Sequence, residues 1–361
     1  MKRIAYFIAV ALAALALVSC GGKKVDASKW LDSLADGKIA AQQADKKIIL
    51  FFSADDQDNL SAMLKENILN KDEFVAAATE KYVLVNLDFS ESVYEATQVD
   101  ENASSAEKKA AKEAEKRLEE NMDAATQYSV QMSPAFYLLS KEGYVITQLV
   151  FDDTLSSIDG FNAEIDSHAE EITAFDSALA KTAQGTNLEK VSAIDDVYNL
   201  TDRRFAYALA PLAKELLKLD TKNESGLAGK YIIELAQVEA TDAALHNDIE
   251  NMISAFEKAA ENSLLTASEK QQMYYYAGFY LGGSGSTDYE KVREYIQKAY
   301  DADPESDVAP DIQNLLRIVD ERIAETAQMN EDVTIEGATP APAAEENAKS
   351  PEQSDSSTAK E

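Results

Sequence analysis

Lys46-Lys47-Ile48-Ile49-Leu50-Phe51-Phe52 is the run on which the reading of this chain turns. It opens on two charges and then carries β-branched and aromatic side chains without alternation. Such a short, continuous run specifies a strand buried on both faces. A sheet covered on both sides needs helices above and below it, and the flanking segments carry the pattern for them. Upstream, Lys29 to Ala44 places Trp30, Leu31, Leu34 and Ile39 at spacing suited to an amphipathic helix. Downstream, Asn59 to Ala78 carries Leu60, Met63, Leu64, Ile68 and Phe74 as an apolar stripe, with a break expected near Asn70. A second buried strand is predicted over Tyr82 to Phe89.

From Ser90 to Glu120 the composition shifts to Ala, Lys and Glu, which predicts a solvated, charged helix inserted between core elements and continuing to Tyr128. Pro134 introduces a third strand, Ala135 to Leu139. Lys141-Glu142-Gly143 is a hairpin turn, and Tyr144 to Phe151 returns as a fourth strand. A helix over about 160–180 closes this half. Beyond Gln184 every segment has helical spacing: 188–197, 203–219, 225–237, 243–262, 268–281, 289–301 and 309–327. From Met329 the chain is Pro, Ala, Glu, Ser and Thr with little to bury, which reads as a disordered tail.

Composition narrows the function. The chain has 361 residues, enough for two ordinary domains, and 45% of them are apolar. Against 34 Lys plus Arg stand 65 Asp plus Glu, a net charge of −31. Nucleic acid and anionic headgroups are repelled by such a chain and drop out as partners. There are two histidines, His168 and His246, and one cysteine, Cys20. A zinc site or a Cys/His nucleophilic pair has no residues to build it, and no cofactor is expected.

The element order, together with Pro134, resembles the thioredoxin fold, closest to the periplasmic group in which a hydrophobic strand leads into a Trp-Cys-x-x-Cys site. Lys46 to Phe52 fits the central strand, and Asn67 to Phe74 fits the helix and turn after the active site. Ala125-Thr126-Gln127-Tyr128-Ser129-Val130 with Ser133-Pro134-Ala135-Phe136 fits the stretch that carries the family's cis-proline. The resemblance puts Asp58-Asn59-Leu60-Ser61 where the redox cysteines would stand. Thiol–disulfide exchange needs an attacking thiolate and a resolving thiol, and neither Asp58 nor Ser61 supplies one. Ser61 as a hydroxyl nucleophile would need a base, and neither histidine is near it in sequence. In the family, the residue before the cis-proline offers its backbone to an extended substrate. Ser133-Pro134 is therefore either a retained peptide-binding edge or a proline that the turn requires.

Asp55-Asp56-Gln57-Asp58-Asn59 lacks the glycine and terminal glutamate of a calcium loop, so no metal is expected. An Asp in it is expected to cap the next helix. In the second half, Ala277-Gly278, Asp288-Tyr289-Glu290-Lys291 and Ala299-Tyr300-Asp301-Ala302-Asp303-Pro304 resemble one tetratricopeptide unit. That implies stacked helix pairs with a peptide-binding surface, while a plain bundle buttressing the first domain fits the same helices. Tyr274-Tyr275-Tyr276 and Tyr280 read mainly as packing.

At the start, Lys2 and Arg3 precede an apolar stretch to Val18, the layout of a secretory signal. Leu17-Val18-Ser19-Cys20 resembles the bacterial lipobox, which implies acylation of Cys20, a membrane partner through that anchor, and a cell-envelope location. Gly21 favours the outer membrane where there are two. The expected organisation is a signal peptide over 1–19, a lipidated tether over 20–28 and a thioredoxin-like domain over 29–182 with a charged insertion at about 91–120. A tetratricopeptide-like domain over 183–328 and a tail over 329–361 complete it. The functional expectation is a redox-inactive module that binds or scaffolds a peptide or protein, not an enzyme. The alternative is an accessory subunit or chaperone for a thiol–disulfide oxidoreductase or cytochrome-maturation system.

Overall fold

Strand β1 (Lys47–Ser53) forms where the apolar run predicts it and is buried along nearly its whole length. The structure, a computed structural model, describes residues 24–56 and 59–336, with side chains as far as Gln328. Cys20, Asp58, the expected signal peptide and the chain beyond Glu336 lie outside the described residues. Strand β1 runs parallel to β2 (Tyr82–Asp88), with Ile48 level with Val83 and Phe52 level with Leu87. On its other side it pairs antiparallel with β3 (Ala135–Leu139), which pairs antiparallel with β4 (Val145–Leu149). The order is β2-β1-β3-β4, a mixed four-stranded sheet.

Around the sheet lie α1 (Leu34–Ala44), α2 (Asn59–Leu64), α3 (Asp72–Lys81), α4 (Glu91–Glu95), α5 (Ser105–Gln127), α6 (Ile158–Ser167) and α7 (Ala169–Lys181). Ile49 and Phe51 point to one face, with Leu64, Ile68, Phe74, Phe161 and Phe175 above them. Phe51 stacks on Phe136 at 4.1 Å between ring centroids, which ties β1 to β3 through side chains as well as backbone. Ile48, Leu50 and Phe52 point to the other face, under Ala40, Ala41, Ala124 and Tyr128. With both faces covered, no alternation of polar residues is tolerated on β1.

The second half is helical: α8 (Asn187–Leu200), a 3-10 helix (Arg203–Leu209), α9 (Ala210–Leu219), α10 (Ala228–Leu245), α11 (Ile249–Ala260), α12 (Ala267–Gly283), α13 (Tyr289–Ala302) and α14 (Ala309–Glu336). Val191, Ile194, Val197, Leu212 and Leu216 belong to the same buried cluster as Phe51 and Phe161, so the core runs without a break from the sheet into the helices. Phe205 adds a second tie, edge-on to Tyr137 at 5.5 Å. Gly278 lets α12 approach α13 closely, since a Cβ there would lie 2.6 Å from Ile296.

Several boundaries differ from the sequence reading. Trp30 and Leu31 are not helical: Leu31 bridges the outer edge of β2, with its N–H on Leu84 O at 2.9 Å and its carbonyl accepting from Asn86 N at 2.8 Å. The helix begins after Ser33, whose Oγ accepts from Asp36 N. Strand β4 stops at Leu149 and leaves Val150 and Phe151 beyond the ladder. The break between α10 and α11 falls at His246–Asp248, where Asn247 adopts φ +55° and Asp248 caps the next helix. The gap expected between 225–237 and 243–262 is instead continuous helix in α10. The last helix continues to Glu336, past the tail's expected start at Met329, because helix-compatible residues follow Ala327.

Candidate functional site

The carboxyl ends of β1 and β2, the start of α2 and the approach to β3 meet at one end of the sheet. Pro134 lies one residue beyond the Phe52–Ala135 pair, which sets it level with Ser53. The Ser133–Pro134 peptide is cis. Ser61 sits in α2, fully buried, with its Oγ accepting from Ala54 N at 3.5 Å. A buried serine at a helix start, held by the backbone of the preceding loop, is a packing group. Asp58 lies outside the described residues.

Behind Ser61 is a polar layer in which the described groups are engaged with one another. The backbone widens into a π-helical turn at Lys65–Leu69, with Asn70 N donating to Lys65 O at 3.1 Å. Lys65 Nζ lies 2.7 Å from Asp55 Oδ1 and 3.6 Å from Asp88 Oδ2, and its side chain is only 11% exposed. The Lys65–Asp55 contact is an ion pair without an aligned hydrogen bond. The ammonium also sits 5.7 Å from the centre of the Phe51 ring. Ser53 Oγ donates to Asn86 Oδ1 at 2.9 Å, and Ser90 N donates to Asp88 Oδ1 at 3.0 Å. Asp56 accepts from Glu91 N at 2.5 Å, at the start of α4. Asp55 thus pairs with Lys65 and Asp56 with the start of α4, and Asp58, the remaining candidate to cap α2, lies outside the described residues.

The other side of Pro134 is open. Among the described residues, the backbone N–H groups of Gln131, Met132 and Ser133 donate to no protein acceptor. Met132 is 77% exposed and Val150 73% exposed, the two highest values among the large apolar side chains described. Val150 follows the Phe136–Leu149 pair, so it stands level with Ala135, next to Pro134. Apolar side chains beside unpaired amides, next to a fixed turn, are what an extended peptide strand needs for pairing. The loop is anchored from behind: Ser129, at φ +52°, donates its Oγ to Arg204 O at 2.6 Å.

Other constellations point to structure. Thr147 Oγ1, His168 and Glu164 form a hydroxyl–imidazole–carboxylate set, with Thr147 3.2 Å from Nδ1 and Glu164 3.5 Å from Nε2. Yet Nδ1 also lies 3.1 Å from Glu171, and Glu164 Oε1 receives the Val150 N–H at 2.8 Å. The ring pins β4 to the α6–α7 junction. Among the described residues no group of three metal-ligating side chains is gathered, and no helix is long and apolar enough to cross a membrane.

Lys65, Asp88, Met132 and Val150 escaped the sequence reading. Lys65 carried a signal in standing directly after Leu64 on the apolar stripe of α2. Met132 and Val150 carried none, because an apolar residue near a strand reads as core.

Comparison with known proteins locates these features. Residues 34–150 match the family described as a thioredoxin-like domain, and residues 227–329 match one described as an uncharacterised protein C-terminal domain. An uncharacterised protein of Treponema pallidum (strain Nichols) is 28% identical over 205 residues, covering 56% of this chain and 68% of its own length. A solved DsbH oxidoreductase aligns with a TM-score of 0.29 at 18% identity, over 41% of this chain and 90% of its own. The first half of the chain is a thioredoxin-like domain with a mixed sheet covered by helices, and the rest is helical.

Proposed function

We propose that the protein is a redox-inactive, thioredoxin-like binding module that holds an extended peptide or protein segment at Ser133-Pro134. The observation that carries this reading is the contrast of unpaired Met132 and Ser133 amides, flanked by exposed Met132 and Val150, with the ion-paired and hydrogen-bonded Lys65, Asp88, Ser53 and Asn86 on the other side of Pro134. With Cys20 the only cysteine, the chain has no dithiol to exchange, so the retained capacity is pairing. The lipobox-like Leu17-Val18-Ser19-Cys20 supports a lipid-anchored envelope location. The close approach at Gly278 supports a tetratricopeptide-like reading of the helical half.

Fluorescence anisotropy with a labelled, reduced and carboxymethylated protein as a permanently unfolded probe tests the binding. The native chain should bind it, and Met132→Asp should bind it about tenfold more weakly. Equal binding by both would remove the edge from the account. An insulin-reduction assay should be blank, and turnover there would overturn the redox-inactive reading. Labelled palmitate should enter the native chain and not Cys20→Ala.

A further inference from the structure

Beside the Met132–Ser133 edge, the chain carries a groove of about 450 Å³ that both halves of the molecule build. One wall is the loop from Ser129 to Gln131, the other is the 3-10 helix with Arg203 and Tyr207, and Val238 of α10 contributes from behind. The groove starts where the open edge ends, since Gln131 belongs to both. The Ser129–Arg204 hydrogen bond holds the two walls together.

The charges in and around this groove are unequal in their engagement. Arg204 is held by Asp202 through two hydrogen bonds, 3.1 Å from Nε and 2.8 Å from an Nη. Asp242 accepts from Tyr207 Oη at 3.1 Å. Glu234 of α10, half-buried, also lines the groove, and its charge helps to push the hydroxyls of Tyr198 and Tyr231 away from ionisation. Arg203 is exposed and has no ion-pair partner among the described residues. In a chain of net charge −31, Arg203 is an exposed guanidinium on the groove wall without a paired carboxylate among the described residues. Repulsion from the bulk of the chain is screened within about 8 Å at physiological salt, so the nearest charge decides.

We propose that the edge and the groove form one composite site for an extended peptide segment that carries an acidic side chain beside an apolar residue. The backbone pairs with Met132 and Ser133, the apolar residue packs between Met132 and Val150, and the carboxylate reaches Arg203. This rests on the peptide-binding reading above and adds to it a recognition element supplied by the helical half. Because Ser129–Gln131 precedes the edge, a bound segment continues through the groove and does not end in it. An internal acidic side chain fits that path better than a terminal carboxylate. Arg is also the residue suited to bidentate capture of a carboxylate.

The test uses the full chain and fluorescein-labelled heptapeptide pools with a central Val. One amidated pool carries Glu at flanking positions, one Gln and one Lys, and a fourth carries Gln with a free C-terminal acid. The native chain should prefer Glu to amidated Gln by about tenfold, the value of one charge-assisted hydrogen bond. Arg203→Ala should bring the Glu pool down to the Gln value, and Arg203→Glu should shift the preference to Lys. Equal binding of the Glu and amidated Gln pools by the native chain overturns the proposal. Free-acid Gln matching Glu overturns it in favour of a terminal carboxylate. Failure of every pool to bind, with Met132→Asp without effect, removes the edge reading as well. Retained binding at Met132 with no charge preference removes the groove alone.

Discussion

Ser53 and Ser133 stand on the two sides of Pro134, and the chain treats those sides in opposite ways. On the Ser53 side, Lys65 is ion-paired with Asp55 and Asp88, Ser53 donates to Asn86, Ser90 donates to Asp88, and Ser61 is buried in α2. On the Ser133 side, the amides of Met132 and Ser133 are left without protein partners and two large apolar side chains face solvent. The first side has the composition of a structural ion-pair cluster, and the second that of a docking edge. Under the proposed reading, a thioredoxin-like scaffold without redox chemistry at one half of its site keeps the other half, because pairing with a peptide needs backbone and shape and no thiol.

The difference can be broken from either side. The largest effect is expected at Lys65. Lys65→Ala leaves two carboxylates facing each other near Phe51 and should lower the unfolding free energy by about 2 kcal/mol, discounted for the exposure of both aspartates. Urea titration measures it, and an unchanged midpoint would mean the cluster is ornamental. Lys65→Met, which keeps the apolar stem, should recover part of the loss. Next is Met132→Asp, which should weaken binding of the unfolded probe about tenfold while leaving the unfolding free energy within about 0.5 kcal/mol. A large loss of stability would show that Met132 belongs to the core and not to an edge.

Ser129→Ala comes third. It removes the bond to the Arg204 carbonyl and should cost about 1 kcal/mol, together with faster amide exchange in the loop. The smallest effect concerns His246, which lies on α10's end opposite Glu119 and Asp123 of α5. Its hydrogen bond to the Asp242 carbonyl, aided by Asp123, Asp242 and Glu119, raises its pKa above 6.5. A base with a raised folded pKa adds stability that is complete below its unfolded pKa and fades as pH rises through the folded one. The native chain should therefore lose slightly more stability than His246→Gln between about pH 6 and about pH 8. Parallel Tm curves would remove that link.

What the sequence made legible follows from how local each signal is. Ile48 to Phe52 announces a doubly covered strand because the burial of both faces is written in consecutive residues. Ser133-Pro134 stood out because proline restricts the backbone by itself. Leu31 did not, since its bridge is decided by the unpaired edge of β2, a partner far along the chain. The Lys65 cluster was hidden for the same reason: Asp55, Lys65 and Asp88 come from a loop, a π-turn and a strand end. The Asn247 break was visible in principle, as Asn followed by a capping Asp, but the gap was read between 237 and 243, inside what is one helix. Exposure at Met132 and Val150 had no sequence signature, because an apolar side chain is written the same way whether it faces a core or a partner.

The most direct test is hydrogen–deuterium exchange of the segment around residues 129–134 in the full chain, with and without the carboxymethylated unfolded probe. The account predicts fast exchange at Gln131, Met132 and Ser133 in the free protein and clear slowing when the probe is bound, with the Lys65 turn unchanged. Bound probe with no slowing at those amides would contradict it.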